Sequence, residues 1–148
     1  MDEKDIQVLI DGTVNYFHRV VDKSTEVGTP YLADHAEVVV SDFTGIIGIS
    51  GARRGSIYFT APSAMLSHIL LKQGESDRSP ELMADIVGEV ANTISGNARR
   101  AFGQEFIISV PSVLQGGAAR QKLSLAERAF VIPISWKQYN AALVVSLT

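Results

Sequence analysis

The sequence predicts an α+β fold: an antiparallel sheet with long helices packed on one face. Three observations carry this. Apolar residues near the N-terminus, and again between 80 and 102, recur at helical spacing. Segments rich in β-branched residues and bounded by glycines fill much of the rest. These strand-like segments come in runs joined by short turns, the pattern of antiparallel pairing rather than of alternating β–α crossovers.

The elements follow in order. Ile6, Leu9, Ile10, Val14, Phe17 and Val21 recur at three and four, with Asp5, Asp11, His18 and Asp22 off that stripe, which predicts a helix from Asp5 to Lys23. Gly28, Pro30 and Asp34-His35 punctuate a short extended stretch. From Ala36 the period becomes strand-like: Val38, Val39 and Val40, then Ile46, Ile47 and Ile49, with a turn at Gly51–Gly55 and a returning strand over Ser56–Thr60. Gly45, Gly48, Gly51 and Gly55 do not have G-x-G-x-x-G spacing and lead into a strand, so they predict a bulged hairpin and not a phosphate-cradling loop.

Pro62-Ser63 opens a second helix that runs to Lys72 on Met65, Leu66, Ile69 and Leu70. After a polar loop over Gly74–Arg78, Ser79-Pro80-Glu81 supplies an N-cap, an N1 proline and an acidic first turn. This third helix is expected to reach Phe102, where Gly103 ends it. Strands are predicted at Glu105–Leu114, Arg128–Trp136 and Asn140–Leu147. The two runs of three strands suggest a pseudo-repeat, but no residue-level self-similarity supports one.

The 148 residues predict a single domain over 1–148. With 13 basic and 16 acidic residues, and a net charge of −3, the chain lacks the basic excess of a nucleic-acid binder. It has no cysteine, which excludes a disulfide framework, a thiolate nucleophile and any cysteine-ligated metal. The start, MDEKDIQVLIDG, is acidic and then amphipathic, unlike a signal peptide. No apolar run approaches the roughly 20 residues that cross a bilayer. A soluble, cytoplasmic protein with no nucleic-acid or membrane partner is expected.

The third helix carries the information. At about 100° per residue, Met83, Ile86, Val87, Val90, Ile94, Ala98 and Ala101 form its predicted core face. Opposite them Asp85, Glu89, Asn92, Gly96 and Arg99 form one stripe, spaced four, three, four and three. Solvated helix faces are polar by default, so the stripe reads either as a plain surface or as a docking face. Asparagine and glycine are poor helix formers, costing roughly 0.5 and 1 kcal/mol relative to alanine. Gly88 and Gly96 nevertheless sit inside the helix, and a glycine one turn after Asn92 removes a side chain that would keep a partner away.

The stretch Asp85-Ile-Val-Gly-Glu89-Val-Ala-Asn92-Thr-Ile-Ser-Gly96-Asn97-Ala98 resembles the signature helix of the CheC/CheX/FliY family, phosphatases of the chemotaxis response regulator CheY. The family pattern of Asp or Ser, three residues, Glu, two residues, Asn is matched at Asp85, Glu89 and Asn92. The small residues Gly88, Ala91, Ser95, Gly96 and Ala98 place the resemblance closest to the CheX branch. The family also has a proline about twenty residues beyond the Asn; Pro111, with 18 residues between, is the candidate. Members of the CheC branch repeat the motif on the first helix. Here Asp11-Gly12-Thr13-Val14-Asn15 has no Glu three residues before Asn15, so one site per chain is implied.

The resemblance implies a catalytic pair: Asn92, whose carboxamide enters the receiver's site and orients the attacking water, and Glu89, which docks on a receiver lysine. Asp85 is the implied flanking contact; Gly96 and Arg99, which continue the stripe, are expected to be partner contacts as well. The implied partner is a phosphorylated CheY-like receiver, which brings its own Mg²⁺; no cofactor belongs to this chain. Members of the CheX branch pair through a continued sheet, and the final strands, Arg128–Trp136 and Asn140–Thr148, are apolar enough to offer an edge, so a homodimer is expected. The other class of reading is a non-catalytic receiver-binding or dimerisation module of the same fold. His18, His35 and His68 lack ligand-like spacing, Asp85 and Glu89 have no further acidic cluster in sequence, and no G-x-S-x-G elbow occurs. No metal site and no serine hydrolase are expected.

Overall fold

The computed structural model describes residues 1–34, 40–116 and 128–148. Its elements in chain order are α1 (Glu3–Val20), β1 (Glu26–Val27), β2 (Tyr31–Asp34), β3 (Phe43–Gly51), β4 (Gly55–Ala61), α2 (Ser63–Lys72), α3 (Pro80–Phe102), β5 (Phe106–Ile108), β6 (Ser112–Gln115), β7 (Arg128–Trp136) and β8 (Tyr139–Leu147). The strands join in one sheet of order β1-β7-β8-β4-β3-β5, with β2 also on β7 and β6 also on β3. Each pairing is antiparallel.

The helices lie on one face of this sheet. Leu9 and Phe17 of α1, Met65, Leu66 and Ile69 of α2, and Val87, Val90 and Ile94 of α3 share a core with Phe43, Ile47, Ile57, Phe59, Ile132, Ile134, Leu143 and Val145 of the strands. The alternate residues of the same strands, Tyr58, Val131, Ala142 and Val144, form a smaller cluster with Ala33 on the opposite face. The central strands are therefore apolar on both sides, which is why β8 reads as an unbroken hydrophobic run.

Two helix starts show how local chemistry sets the boundaries. Asp2 and Asp5 form a reciprocal capping box, so α1 begins at Glu3 and not at Asp5. At α3, Ser79 accepts the Leu82 N–H, Pro80 occupies the first turn, and Gly103 closes the helix at φ 100° with its N–H donating to the Arg99 carbonyl. Met83 is only half-buried and Ala101 is exposed, so the core face of α3 is shifted towards Gly88, Ala91 and Ser95, all buried.

The single strand predicted at Glu105–Leu114 is two short strands. Ser109 interrupts the pairing with β3: its Oγ accepts the Gly48 N–H at 2.8 Å and its own N–H donates to the Gly48 carbonyl at 2.9 Å. Pro111, with no N–H to give, then turns the chain into β6. The predicted strand at Val38–Val40 lies largely outside the described residues, as does His35.

The edges also differ from expectation. β8 lies between β7 and β4, and β7 is covered by β1 and β2. Neither final strand is an edge; short strands are, β1 with β2 on one side and β5 with β6 on the other.

One close approach sets α3 on the sheet. A Cβ on Gly45 of β3 would overlap the Val87 carbonyl oxygen and stand 2.9 Å from the Gly88 nitrogen, both backbone atoms of α3. Only glycine permits that spacing. On the next face of the helix, a Cβ on Gly88 would meet Val113 Cγ2 at 3.3 Å and Pro111 Cβ at 3.6 Å.

Gly45→Ala is therefore expected to force β3 and α3 apart. It should lower the free energy of unfolding by about 3 kcal/mol, as read from urea melts monitored by circular dichroism.

Candidate functional site

Because α3 is held at Gly45 and Gly88, its outward face is defined. Asp85, Glu89, Asn92 and Arg99 are exposed and Gly96 is half-buried, so the structure brings the five predicted residues onto one surface stripe. Among the described residues, the side chains of Asp85, Glu89 and Asn92 make no hydrogen bond or ion pair. Arg99 does: its guanidinium donates to the Gln104 carbonyl at 3.3 Å, tying it to the chain just past the helix end. Gly96 has open space around it, since a Cβ there would come no nearer than 4.0 Å to Ile108 Cδ1.

The stripe runs between two walls. With Glu89 as origin at about 100° per residue, Thr93 and Asn97 fall about 40° and 80° to one side, and Asp85 and Asn92 about 40° and 60° to the other. The Thr93–Asn97 side faces α1. Asn15, Tyr16, Arg19 and Val20 of α1 join Glu89, Thr93 and Asn97 around a groove of about 180 Å³. The two helices run antiparallel: Arg53 pairs with Asp5 at the start of α1 and lies over the Phe102 ring at the end of α3, while further along α1 Gly12 meets Ile94 and Tyr16 shares the groove with Glu89. On the other side lies the turn between β5 and β6, where Pro111 and Val113 rest on Gly88 and Val110 is 84% exposed. Pro111, the proline singled out by position in the sequence, is thus beside the stripe.

Glu89 sits at the crest, between the groove and Asn92. Below it, Tyr16 is buried and packs edge-on against Phe17 at 5.3 Å between ring centroids. Burial first, and the negative charge of Glu89 second, push the Tyr16 phenol well above its ordinary range, so it remains protonated beside the carboxylate. Sequence reasoning missed Asn15, Tyr16 and Arg19 as neighbours of Glu89. Asp11, Asn15 and Arg19 do repeat at four along α1, but nothing in that period says which helix it faces.

His18, His68 and Trp136, also singled out in the sequence, have structural partners. His18 Nε2 lies 2.9 Å from the Thr25 carbonyl oxygen, and His68 Nδ1 lies 3.1 Å from the Tyr139 hydroxyl. Trp136 is buried in the core and its indole N–H donates to Asp22 at 3.3 Å. Among the described residues, no three His, Asp or Glu side chains converge as a metal site would require. Among those residues, too, no helix is long and apolar enough to cross a membrane.

What remains is an exposed, unpaired Asp–Glu–Asn stripe on a helix fixed to an antiparallel sheet. The fold that carries it is shared with known proteins. The chain superposes on a CheC-like superfamily protein from Shewanella sp. PV-4 with a TM-score of 0.81 at 24% identity, covering 100% of this chain and 99% of that one. It superposes on the chemotaxis protein CheX from Vibrio vulnificus with a TM-score of 0.79 at 22% identity, covering 98% and 99%. A third match is the CheX of a CheX–CheY–BeF₃–Mg²⁺ complex from Borrelia burgdorferi, with a TM-score of 0.80 at 21% identity and 96% of both chains covered. The fold is that of the CheC/CheX-like proteins. No curated protein matches by sequence. The family model described as chemotaxis phosphatase CheX matches residues 43–135, more than half of the chain and the whole of α3. The chain belongs to the CheX family.

The environment of Tyr16 makes a pH prediction. A phenol that stays protonated in the folded protein, but ionises near pH 10 when unfolded, leaves stability unchanged below that pH. Above it the unfolded chain releases a proton that the native one keeps, so stability falls by up to about 1.4 kcal/mol per pH unit. Urea unfolding between pH 8 and 11 is expected to show this fall in the wild type and a shallower one in Tyr16→Phe.

Proposed function

We propose that this chain hydrolyses the aspartyl phosphate of a CheY-like receiver, with Asn92 orienting the attacking water and Glu89 docking on a receiver lysine. The observation that carries the reading is the state of the stripe. Asp85, Glu89 and Asn92 are exposed and without partners among the described residues, on a helix clamped at its backbone. Polar side chains held out in register, with no internal bond to satisfy, suit a surface that completes another protein's site. Family membership supplies the reaction class, and the Borrelia complex joins a CheX to a CheY with BeF₃ and Mg²⁺.

The chemistry asks little of this chain. The receiver carries the phosphoryl group and the Mg²⁺. Water attacks phosphorus in line, the bond from phosphorus to the aspartyl oxygen breaks, and the products are the free carboxylate and inorganic phosphate. A primary amide fits the task of placing that water, because it donates and accepts at once and adds no charge beside a phosphoryl group. Asn92 leans away from α1 and Glu89 lies at the crest, so the amide and the docking carboxylate are offered side by side. Asp85 is a flanking contact one turn earlier. Gly96, one turn later, leaves the helix surface low where the partner must lie close. Arg99 extends the stripe to the end of the helix. Among the described strands, a homodimer formed by sheet continuation would use β1–β2 or β5–β6, and light scattering that finds only monomers removes it.

The test follows loss of phosphate from a panel of phosphorylated CheY-like receivers. Wild type is expected to accelerate it on at least one of them. Asn92→Ala should lower turnover at least 100-fold with binding within about threefold, since water placement matters only in the transition state. Glu89→Ala should weaken both. Turnover unchanged in Asn92→Ala would overturn the mechanism; binding without acceleration by wild type would leave a non-catalytic receiver-docking module. Gly96→Ala should raise stability by about 0.5–1 kcal/mol, there being room for the methyl group, while weakening receiver binding. Unchanged binding would free Gly96 from a docking role.

A further inference from the structure

We propose that Arg19 of α1 is a second docking determinant. In this reading it pairs with a carboxylate on the receiver, and Glu89 with Arg19 forms a two-charge key that selects which receivers are accepted. The inference rests on the reading of α3 as the receiver-docking face.

The argument begins with what shares the groove. Arg19 and Glu89 line the same 180 Å³ depression, from opposite helices. Opposite charges this close on a surface ordinarily neutralise each other. Among the described residues these two do not: neither makes an ion pair within 4 Å, and Arg19 makes no hydrogen bond either. Both are exposed. Elsewhere in the chain Arg53 pairs with Asp5 at 2.7 Å and Lys72 with Asp22 at 3.8 Å, so paired charges do form where the fold brings them together. Between Arg19 and Glu89 the fold leaves both charges available.

A bland role exists for Arg19. It lies in the last turn of α1, where a cation favours the helix dipole. That role needs only a positive charge at the helix end. It does not account for a site on the wall of the groove below Glu89, four residues after Asn15 on the same groove wall.

The surface is therefore bipolar across its short dimension: acidic along α3 at Asp85 and Glu89, basic on α1 at Arg19. A receiver laid over Asn92 and Glu89 must cover the groove, because Glu89 is part of its rim. It is accepted readily when it brings a cation to Glu89 and a carboxylate to Arg19, and a basic residue at the second position repels it. The phosphoryl group is not the anion in question, since Asn92 diverges from the groove, about 140° around the helix from Asn97 and on the far side of Glu89. Charges at the rim of an interface act mainly on the rate of encounter and on its salt dependence, with little influence on the chemical step.

The experiment measures association of the full chain with BeF₃-activated, Mg²⁺-loaded CheY-like receivers, alongside phosphate release. For Arg19→Glu the expected result is association slowed about tenfold at low salt, a difference that shrinks as salt rises, and turnover at saturating receiver equal to wild type. Arg19→Lys should keep most of the on-rate. One acidic residue bordering the receiver's phosphorylation site, changed to Lys, should restore binding to Arg19→Glu. Thermal melting controls for the helix-end role, which would lower the melting temperature without touching association. Arg19→Glu with unchanged association, or with no restoring receiver variant, overturns the proposal. Turnover lost at unchanged association overturns it as well, by placing Arg19 in the chemistry. Wild type that binds a receiver without hydrolysing its phosphate overturns only the phosphatase reading, and the association rates still decide Arg19. Wild type that binds no receiver overturns both.

Discussion

The close approach of β3 to α3 at Gly45 is the constraint on which the rest of the molecule depends. A helix resting on a sheet through side chains alone stands off from it and can roll as those side chains repack. Here the backbone of α3 at Val87–Gly88 lies against the backbone of β3, with no Cβ between them. Pro111 and Val113 close on Gly88 from the side. Two contacts at different angles around one helix leave it no freedom to rotate about its axis. Since each residue of a helix turns about 100°, a roll of even half that amount would carry Glu89 from the crest into the α1 groove. The glycines weaken the isolated helix, each by roughly 1 kcal/mol, and the sheet contact offsets that loss. Local instability in α3 is thus coupled to a fixed presentation of its outer face.

That presentation explains why the stripe can be left unsatisfied. Exposed polar groups are hydrated and cost nothing while they wait. A partner that covers them must replace the water they lose, so it must bring complementary groups in the right places. The surroundings sharpen this requirement. Tyr16 gives Glu89 a neutral, apolar floor on one side, and the β5–β6 turn offers the exposed Val110 on the other. A polar crest bordered by a groove and an apolar shoulder has more shape to recognise than a flat helix face.

Much of this was legible in the residues, for reasons that can be named. α3 was readable end to end because Ser79, Pro80 and Gly103 each act on the backbone locally. The stripe was readable because helical period alone puts Asp85, Glu89, Asn92, Gly96 and Arg99 on one side. Four features were not. Asn15, Tyr16 and Arg19 belong to the site only through the antiparallel packing of α1 on α3, which no local pattern encodes. The β5–β6 break depends on Ser109 bonding Gly48, a partner 61 residues away. The final strands looked like an edge because apolar alternation says nothing about what lies alongside; β1 and β2, too short to announce themselves, cover β7. Ala101 was placed in the core by its angle, but it lies in the last turn of α3, where little of the sheet remains to bury it.

The central claim is that the outer face of α3 is where this protein meets a receiver. Backbone amide NMR of the isotope-labelled chain, titrated with a BeF₃-activated CheY-like receiver that it binds, tests this most directly. The account predicts that shifts and broadening concentrate on Asp85–Arg99, on Asn15–Val20 and on Ser109 and Val110 in the turn, with β1, β2 and the β7–β8 hairpin unmoved. Perturbation centred on β1 and β2, with α3 silent, would contradict it.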